Sequence, residues 1–430
     1  MIPVLTPQPA SRPMRALYSL AWLVALPIAL IRLLLRSRAE PEYRKNLAER
    51  FGLYRSPPAG PLIWVHAVSL GETRAAAPLI MQLMERNPSH RILLTQTTAS
   101  GRKAARELFD DRVLTAWLPW DIGFFMRAFL RHFQPSIGVI METELWPNMI
   151  LACSGCGIPL CIANARLSER SATRYRRLGA FFRSTLQRVT VIAAQSDTDA
   201  ARFLSLGARN VHVIGNIKFD AQPDEAKIAL GLRWRQRLAG RKLVLIASTR
   251  DGEEPDMLKA LDRVLPPQAA IAIVPRHPQR FEEVWQLIVK SGLRGCRRSL
   301  HEEPDNTTRV WLGDSMGELT AWYSAASVAV IGGSWKPYGS QNPIEACAVG
   351  CPVIVGPYTF NFERITIDAL AAGAAIRVEN TTQMADAVAQ LLADEERRTS
   401  MAEAARQFAT AYRGATLRCL ALIEQVIVPS

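Results

Sequence analysis

Short apolar runs with the length of β-strands alternate along most of the chain with segments of helical periodicity. A polar stretch from Asp220 to Gly240 separates two such series. Strands that alternate with helices predict a parallel sheet covered by helices. We therefore expect an α/β protein built from two doubly wound halves. The predicted strands are Leu62–Val68, Arg91–Thr97, Ile137–Met141, Pro159–Ala163, Val189–Ala194 and Val211–Ile214 in the first half, and Lys242–Ala247, Ala270–Val274, Arg309–Leu312, Val328–Ile331 and Pro352–Val355 in the second.

The polar stretch sets the predicted domain boundary. We assign residues 41–220 to an N-terminal domain and residues 221–430, with the closing helices from about Thr382 onward, to a C-terminal domain. Doubly wound sheets bind ligands at the carboxyl ends of their strands. Most polar motifs of this chain follow predicted strands, so we expect them on loops that face a cleft between the halves. Domain closure would be needed for both halves to act on one substrate.

The first 40 residues have a different pattern. The segment from Ala16 to Ile31 is uncharged, and Arg32 is followed by three leucines. A bilayer is spanned by about 20 apolar residues, so the segment either spans, with Arg32 at the interface, or lies as a shallow anchor. A cleaved signal peptide and a buried core helix are the alternatives, but no small-residue cleavage site follows. We predict an uncleaved membrane anchor over residues 1–40.

The distribution of charge along the chain indicates which classes of partner the protein binds. The chain carries 52 basic and 39 acidic residues, a net charge of +13. Residues 1–60 and 161–190 each contribute a net charge of +6, and the remainder is almost balanced, unlike a surface that follows a nucleic-acid backbone. We therefore expect no nucleic acid and an attraction of the N-terminal segment to anionic lipid.

Two further features predict the compartment. Basic residues are more numerous after the apolar segment than before it, which predicts that the body of the protein faces the cytoplasm. The seven cysteines are scattered and odd in number, as is typical of reduced thiols in the cytosol. An apolar content of 49% in 430 residues excludes disordered and low-complexity classes.

Glu72 is the first residue that could carry chemistry. It follows strand Leu62–Val68 at the beginning of a helix that we expect to start near Thr73. A carboxylate at a helix N-terminus is stabilised by the helix dipole, which gives it a purely structural role. A general base at the carboxyl end of a strand is the functional alternative. Position alone does not choose between them.

Two further charged residues follow strands of the same half. Glu142 directly follows an apolar strand, and Thr143 or Glu144 beside it is a candidate cap for a helix whose first turn contains Pro147. Lys218 follows strand Val211–Ile214 and either neutralises a phosphate or carboxylate or is simply solvated.

The second half has polar signals on successive loops. Arg276, in the loop 275–278, offers a planar donor fork suited to phosphate. The segment 313–318 is a glycine-punctuated turn that opens a helix, where free N–H groups can hold an anion. Residues 332–334 follow a strand, and residues 341–345 start another helix. Glu345, one turn into that helix, could accept hydrogen bonds from ribose hydroxyls. Together these loops predict a nucleotide pocket.

Several familiar site motifs are absent from the sequence. It contains no G-x-x-x-x-G-K-[ST], and no G-x-G-x-x-G follows a strand, which argues against a P-loop or a conventional dinucleotide site. The single C-x-x-C, at Cys153 and Cys156, lacks a second cysteine pair or a histidine at zinc spacing. We interpret it as incidental and expect no metal site.

The motifs taken together resemble those of one known family. In content and order they are similar to the bacterial lipid A 3-deoxy-D-manno-octulosonic acid (Kdo) transferases, from Tyr43 to about residue 362. The motifs are WVHAVSLGE (64–72), IMETELWPN (140–148), NARLSERS (164–171), GNIKFD (215–220), VPRHPQRF (274–281), GDSMGEL (313–319) and QNPIEA (341–346).

This resemblance implies a fold and a reaction. The fold would be of the GT-B type, two Rossmann-like domains facing a cleft, with a membrane-associated N-terminus at the bacterial inner membrane. The reaction would be the inverting transfer of Kdo from CMP-Kdo to the lipid A precursor lipid IVA, in lipopolysaccharide biosynthesis, without a metal or other cofactor. The rival functions are a membrane-anchored sugar-nucleotide binding protein without turnover and a GT-B sugar-nucleotide epimerase.

The resemblance also implies roles for individual residues. Glu72 would be the general base, and Glu142 and Lys218 would stabilise the transition state. Independently of the resemblance, the concentration of positive charge in segment 164–177, above the first sheet, predicts that this segment helps to hold the phosphates of the lipid acceptor. The implied contacts to CMP are Pro275, Arg276, Met316, Gly317, Glu318, Asn342, Pro343, Ile344 and Glu345.

Two positions depart from the family's pattern. Gln341 and Arg250 stand where a histidine is common in enterobacterial members. Both are expected near the donor pocket, so they affect the details of donor binding rather than the reaction. No residue fixes the number of Kdo units added.

Overall fold

The apolar runs of the first half form a parallel sheet buried on both faces. The computed structural model describes residues 12–38, 40–55, 57–220, 223–302 and 304–427. Within these residues the sheet has seven strands in the order β3-β2-β1-β4-β5-β6-β7. Parallel sheets of this kind consist of nearly continuous apolar strands because helices cover both faces. The strands are β1 (Leu62–His66), β2 (Arg91–Gln96), β3 (Val113–Trp117), β4 (Ile137–Met141), β5 (Leu160–Ala165), β6 (Val191–Ala194) and β7 (Val211–Val213).

The second half repeats this architecture. In the described part of the chain its sheet also has seven parallel strands, in the order β10-β11-β9-β8-β12-β13-β14. The strand order reverses between β1 and β4 in the first sheet and between β8 and β12 in the second. Such sheets bind ligands at the point where the strand order reverses. The strands are β8 (Leu243–Thr249), β9 (Ala270–Pro275), β10 (Gly295–Arg297), β11 (Val310–Leu312), β12 (Val328–Ile331), β13 (Val353–Val355) and β14 (Ala375–Arg377).

The helices connect the strands and cover the sheets. In the first half they are α1 (Arg12–Arg36), α2 (Leu70–Arg86), α3 (Ala99–Phe109), α4 (Gly123–Phe133), α5 (Pro147–Gly155), α6 (Glu169–Arg176), α7 (Gly179–Leu186) and α8 (Asp197–Ser205). In the remainder they are α9 (Glu225–Arg237), α10 (Glu254–Val264), α11 (Phe281–Lys290), α12 (Leu319–Ala325), α13 (Ile344–Ala348), α14 (Glu363–Ala371), α15 (Thr381–Ala393), α16 (Glu395–Ala411) and α17 (Ala415–Glu424).

Every predicted strand overlaps a strand of the structure, but three strands were missed. β3 reads VLTAW, in which two of the five residues are threonine and alanine, and β10 and β14 have three residues each. Three-residue runs carry no periodic signal. β3 has four apolar residues of five, as long a run as β1, and was overlooked. The predicted helix start near Thr73 was also late, because α2 begins at Leu70 with Ser69 as its N-cap.

The chain divides into two compact units. Unit 1 comprises Met1–Ala221 and Arg413–Ser430, and unit 2 comprises Gln222–Tyr412. The predicted boundary falls at residues 221 and 222, which themselves lie outside the described residues. The structure differs from the prediction at the C-terminus, because α17 belongs to unit 1 and not to the C-terminal domain.

The sequence of α17 explains its position. Its apolar residues Cys419, Leu420 and Ile423 pack into the core on one face of the first sheet. The carboxylate of Asp220 accepts hydrogen bonds from the N–H groups of Gly414, Ala415 and Thr416 and so caps the start of this helix. The prediction missed this contact because the partners are almost 200 positions apart.

α1 is the helix of the predicted anchor, whose residues 1–11 and Ala39 lie outside the described residues. From Pro13 to Arg36 it is long and apolar enough to cross a membrane, judged by length and composition. Only 6% of its most apolar 18-residue stretch is buried. One side of it nevertheless contacts the rest of unit 1. The Tyr18 hydroxyl donates to Asp121 at 2.8 Å, and the ring of Trp22 stacks 6.2 Å from that of Trp146.

Candidate active site

Glu72 lies in the first turn of α2, directly after β1. Its side chain is half-buried, and Oε2 accepts a hydrogen bond of 2.7 Å from the N–H of Val68. The Ser69 hydroxyl donates to Oε1 at 3.0 Å, and the N–H of Glu72 donates back to Ser69 Oγ at 3.3 Å. These reciprocal bonds are a variant of the capping box. They hold the carboxylate in one orientation at the carboxyl end of β1.

The surroundings of Glu72 make it a weaker acid than usual. Burial raises the pKa of its carboxyl from 4.5 to about 7, and the negative charges of Glu142 and Glu144 add to the rise. The hydrogen bonds from Val68 and Ser69 act in the opposite direction. A carboxylate with a pKa near 7 is suited to take up a proton at neutral pH.

Glu142 and Lys218 form an ion pair beside Glu72. Lys218 Nζ lies 2.6 Å from Glu142 Oε1, and the two side chains are 44% and 24% exposed. Glu142 has a φ of 59°, which is the left-handed region that residues other than glycine rarely adopt. Such backbone conformations are common at functional sites. The structure thus brings together all three residues that the sequence suggested for the first half.

The start of α5 is not capped by Thr143 or Glu144, as the sequence suggested, but by a residue more than 20 positions earlier in the chain. The backbone of α5 is capped by Asp121, whose carboxylate accepts from the N–H groups of Asn148 and Met149 at 3.1 and 2.8 Å. Glu144 instead accepts a hydrogen bond from the indole of Trp146. Sequence reasoning missed Asp121 because it follows β3, a strand that was not predicted.

Arg276 is placed in unit 2 just beyond Pro275, the last residue of β9. Its N–H donates to the carbonyl of Thr249 at 3.0 Å, which ties the loop after β9 to the end of β8. The side chain is exposed, and no carboxylate of the described residues lies within ion-pair distance of the guanidinium. Glu345 is nevertheless close enough to interact with it electrostatically.

The loop 315–318 begins α12. Met316 is 60% exposed, and Gly317 has a φ of 81°, so a side chain at this position would strain the backbone. Glu318 is engaged by Arg298, whose Nε and Nη2 lie 3.1 and 2.8 Å from its two oxygens, and by the hydroxyl of Ser315. Arg298 was not singled out in the sequence.

The segment 342–345 forms the start of α13. Asn342 Oδ1 accepts from the N–H of Ile344 at 3.0 Å, and Pro343 is buried beneath this turn. Glu345 lies in the first turn of the helix, not one turn inside it as predicted.

The organising residue of the second sheet's carboxyl edge is Glu253, which the sequence analysis missed. Its buried carboxylate accepts hydrogen bonds from the N–H groups of Arg250, Gly333 and Trp335 at 2.8, 2.8 and 3.1 Å. Burial nevertheless raises its pKa. Glu253 thereby links the loop after β8 with the loop after β12. Gln341 lies beside Gly333 as well, so the two positions that depart from the family's pattern share one loop cluster.

No group of three or more His, Cys, Asp or Glu side chains within the described ranges could hold a metal ion. All seven cysteines are free, and Cys156 is exposed. A reaction without metal or cofactor remains a prediction from the resemblance.

Comparison with known proteins identifies the family. A family model described as 3-Deoxy-D-manno-octulosonic-acid transferase (kdotransferase) matches residues 45–221, and one described as Glycosyl transferases group 1 matches residues 292–408. The 3-deoxy-D-manno-octulosonic acid transferase of Bordetella pertussis is 40% identical over 425 residues, which cover 95% of this chain and 99% of that protein. The chain belongs to the Kdo transferase family. The Haemophilus influenzae Kdo transferase is 36% identical, with 95% and 98% covered.

The fold agrees with this membership. The crystal structure of UDP-GlcNAc 2-epimerase from Neisseria meningitidis bound to UDP-GlcNAc has a TM-score of 0.57, covering 85% of this chain and 99% of that one. At 17% identity this likeness shows the fold alone. The resemblance and the predicted GT-B class with two Rossmann-like units are therefore confirmed, and this Kdo transferase family member is a glycosyltransferase.

Proposed function

We propose that the protein transfers Kdo from CMP-Kdo to the lipid A precursor lipid IVA with inversion at the anomeric carbon, with Glu72 as the general base. The observation that carries this proposal is the setting of Glu72. Its carboxylate is fixed by two hydrogen bonds, has a pKa raised by burial to about 7, and lies at the point where such sheets bind ligands. Glu72 would remove the proton from the acceptor hydroxyl as that oxygen attacks Kdo.

The ion pair of Glu142 and Lys218 would stabilise the transition state. As CMP departs, positive charge develops on the sugar ring and negative charge on the departing phosphate. Glu142 would face the cationic sugar, and Lys218, 2.6 Å from it, would be held in position to neutralise developing negative charge. The left-handed backbone of Glu142 supports this role, because strained conformations are retained where function requires them.

The donor would bind to unit 2. Arg276 offers a guanidinium with no carboxylate at ion-pair distance among the described residues, which suits a nucleotide phosphate. Backbone groups of Met316 and Gly317, at an exposed loop that starts a helix, would contact CMP together with Glu318. The segment Asn342–Glu345 would contribute the remaining contacts, with Glu345 accepting from ribose hydroxyls.

The site of action would be the cytoplasmic face of the bacterial inner membrane. α1 exposes leucine, isoleucine and valine side chains along one side, including Val24 at 68% and Ile28 at 69%. Basic residues flank this helix and would attract anionic lipid. Free thiols suit a reducing compartment.

The reaction is tested with the purified full-length protein in detergent, CMP-Kdo and lipid IVA. We expect CMP release and a product heavier than lipid IVA by one or more Kdo residues, with the anomeric configuration inverted. The masses also give the number of sugars added. Release of CMP without a heavier lipid would contradict lipid transfer, and binding of CMP-Kdo without any turnover would favour the binding-protein alternative.

A further inference from the structure

The segment around Lys218 is anchored in the core of unit 1. It forms a single-turn 3-10 helix, Ile217–Phe219, in which Ile217 and Phe219 are 0% and 5% exposed. Lys218 between them is exposed and contacts Glu142. A lysine side chain is flexible, so its ammonium meets one partner reproducibly only if the backbone beneath it is fixed. The hydrogen bonds of this backbone therefore decide where Nζ lies.

Two asparagines fix the backbone of this turn. Asn216 Oδ1 accepts from the N–H of Lys218 at 3.0 Å. Asn164, which belongs to β5 and lies 53 positions before Ile217, accepts from the N–H of that residue at 3.0 Å with Oδ1. The first N–H groups of a helix have no partner within the helix. Here asparagine side chains supply the missing acceptors directly beneath the Lys218 side chain.

A third amide joins the two asparagines. Gln195, directly after β6, accepts from Asn216 Nδ2 at 3.0 Å with Oε1 and donates from Nε2 to the carbonyl of Asn164 at 2.9 Å. The three side chains form an amide network across the carboxyl ends of the neighbouring strands β5, β6 and β7. Amide side chains do not ionise, so the network is unaffected by the pH of the reaction.

Asn164 is in an energetically unfavourable state. Its φ of 55° is left-handed, and the pairing of β5 with β6 shifts register around it, between Ile162 and Ala165. Its side chain is completely buried, yet Nδ2 has no hydrogen-bond partner among the described residues. Glu142, at the end of the neighbouring strand β4, has a left-handed backbone as well. Such costs point to a functional role of the residues that bear them.

We propose that Asn164, Gln195 and Asn216 are positioning residues that hold Lys218 against Glu142. They act through the orientation of the lysine and not on a reacting atom. The proposal rests on the proposed function, in which Lys218 neutralises charge that develops as CMP departs. It accounts for an ion pair of 2.6 Å at a lysine that is 44% exposed, where side-chain entropy opposes pairing.

A double-variant cycle distinguishes positioning from a purely structural role. We expect Gln195→Leu, which removes both hydrogen bonds of this side chain, to lower kcat about tenfold and to change KM for CMP-Kdo at most about twofold. In a Lys218→Gln background the same substitution should lower kcat by less than about twofold, because the side chain that it positions is gone. Equal losses of kcat in the two backgrounds would overturn the proposal.

Two further variants guard against a general effect on folding. Asn164→Gly removes the amide, and glycine adopts a left-handed φ without strain, so β5 should keep its course while kcat falls as in Gln195→Leu. Asn210→Leu is the matched control, because Asn210 donates to the carbonyl of Thr190 before β7, at the opposite edge of the sheet. It should behave as the wild type. Wild-type kcat in Asn164→Gly, or an equal loss in Asn210→Leu, would overturn the proposal.

Hydrogen exchange gives a readout that does not depend on turnover. In the full-length protein, the amides of Ile217 and Lys218 should exchange at least about tenfold faster in Gln195→Leu than in the wild type, while those of β4 keep their rates. Unchanged exchange of Ile217 and Lys218 would overturn the positioning role. Faster exchange in the variant, together with a wild type that transfers no Kdo, would support the amide network and contradict the proposed function instead.

Discussion

At the scale of single residues, one side chain combines a structural role with a setting that suits acid–base chemistry. Glu72 closes the N-terminus of α2 and also has a pKa raised by burial to about 7. The sequence left these roles as alternatives, but they are compatible. The cap fixes the carboxylate, and incomplete access to water weakens it as an acid. The sequence could not show the raised pKa of Glu72, because the pKa depends on burial and burial is a property of the folded unit.

The pH dependence of transfer follows from this pKa. Glu72 must be ionised to accept a proton, so kcat/KM should fall about tenfold per pH unit below about pH 7 and level off above it. Glu144→Gln removes a negative charge that raises the pKa of Glu72, so it should move this limb to lower pH. An acid limb near pH 4.5 in the wild type, or an unchanged limb in Glu144→Gln, would contradict the assignment.

The Glu142–Lys218 pair should contribute more to catalysis than to stability. With Lys218 44% exposed, loss of the pair should change the free energy of unfolding by less than about 1 kcal/mol. Glu142→Gln and Lys218→Gln should each lower kcat about tenfold or more, and the double variant should lose less than the product of the single losses. Independent, multiplicative losses would show that the two side chains do not act together.

At the scale of elements, carboxylates from distant loops fix the ends of helices and the loops of the site. Asp121 caps α5, Asp220 caps α17, and Glu253 holds the loops after β8 and β12. The strands could be predicted because a buried parallel strand is a continuous apolar run. The contacts of these carboxylates could not be predicted, because their partners lie 27, 194 and 80 positions away and no local sequence pattern marks them. The same reason explains the wrong placement of α17.

Asp121 offers a test of this long-range capping. Asp121→Ala would leave two N–H groups of α5 and the hydroxyl of Tyr18 without their acceptor, and should destabilise unit 1 by about 2 kcal/mol. The exposed Asp111, in the turn before β3, provides the control, and Asp111→Ala should change stability by less than about 0.5 kcal/mol. Denaturant unfolding in one detergent measures both, and equal midpoints would refute the capping role.

At the scale of the whole molecule, charge is concentrated in the unit that would meet the lipid. The two stretches that carry a net +6 each, residues 1–60 and 161–190, both belong to unit 1. The second includes α6, where Arg176 pairs with Glu169 at 2.6 Å while Arg174 and Arg177 are exposed. The family and both Rossmann-like units were predictable from motifs and apolar runs. The packing of α1 against the rest of unit 1 was not, because it depends on contacts such as that of Tyr18 with Asp121, which lie 103 positions apart.

The exposed arginines of this segment should contribute to acceptor affinity. Arg174→Glu combined with Arg177→Glu should raise KM for lipid IVA severalfold, and the effect should shrink at high salt because it is electrostatic. Arg263→Glu in unit 2 reverses an exposed arginine far along the chain and controls for charge reversal itself. An unchanged KM in the double variant would exclude this surface from acceptor binding.

The central claim is that Glu72 is the base for Kdo transfer, and Glu72→Gln tests it most directly. Glutamine keeps the size of the side chain and an acceptor for the N–H of Val68, but it cannot take up the proton. We expect transfer to lipid IVA to fall at least 100-fold, with CMP-Kdo binding measured by calorimetry unchanged. Near-normal transfer by Glu72→Gln, with its fold intact, would contradict the account.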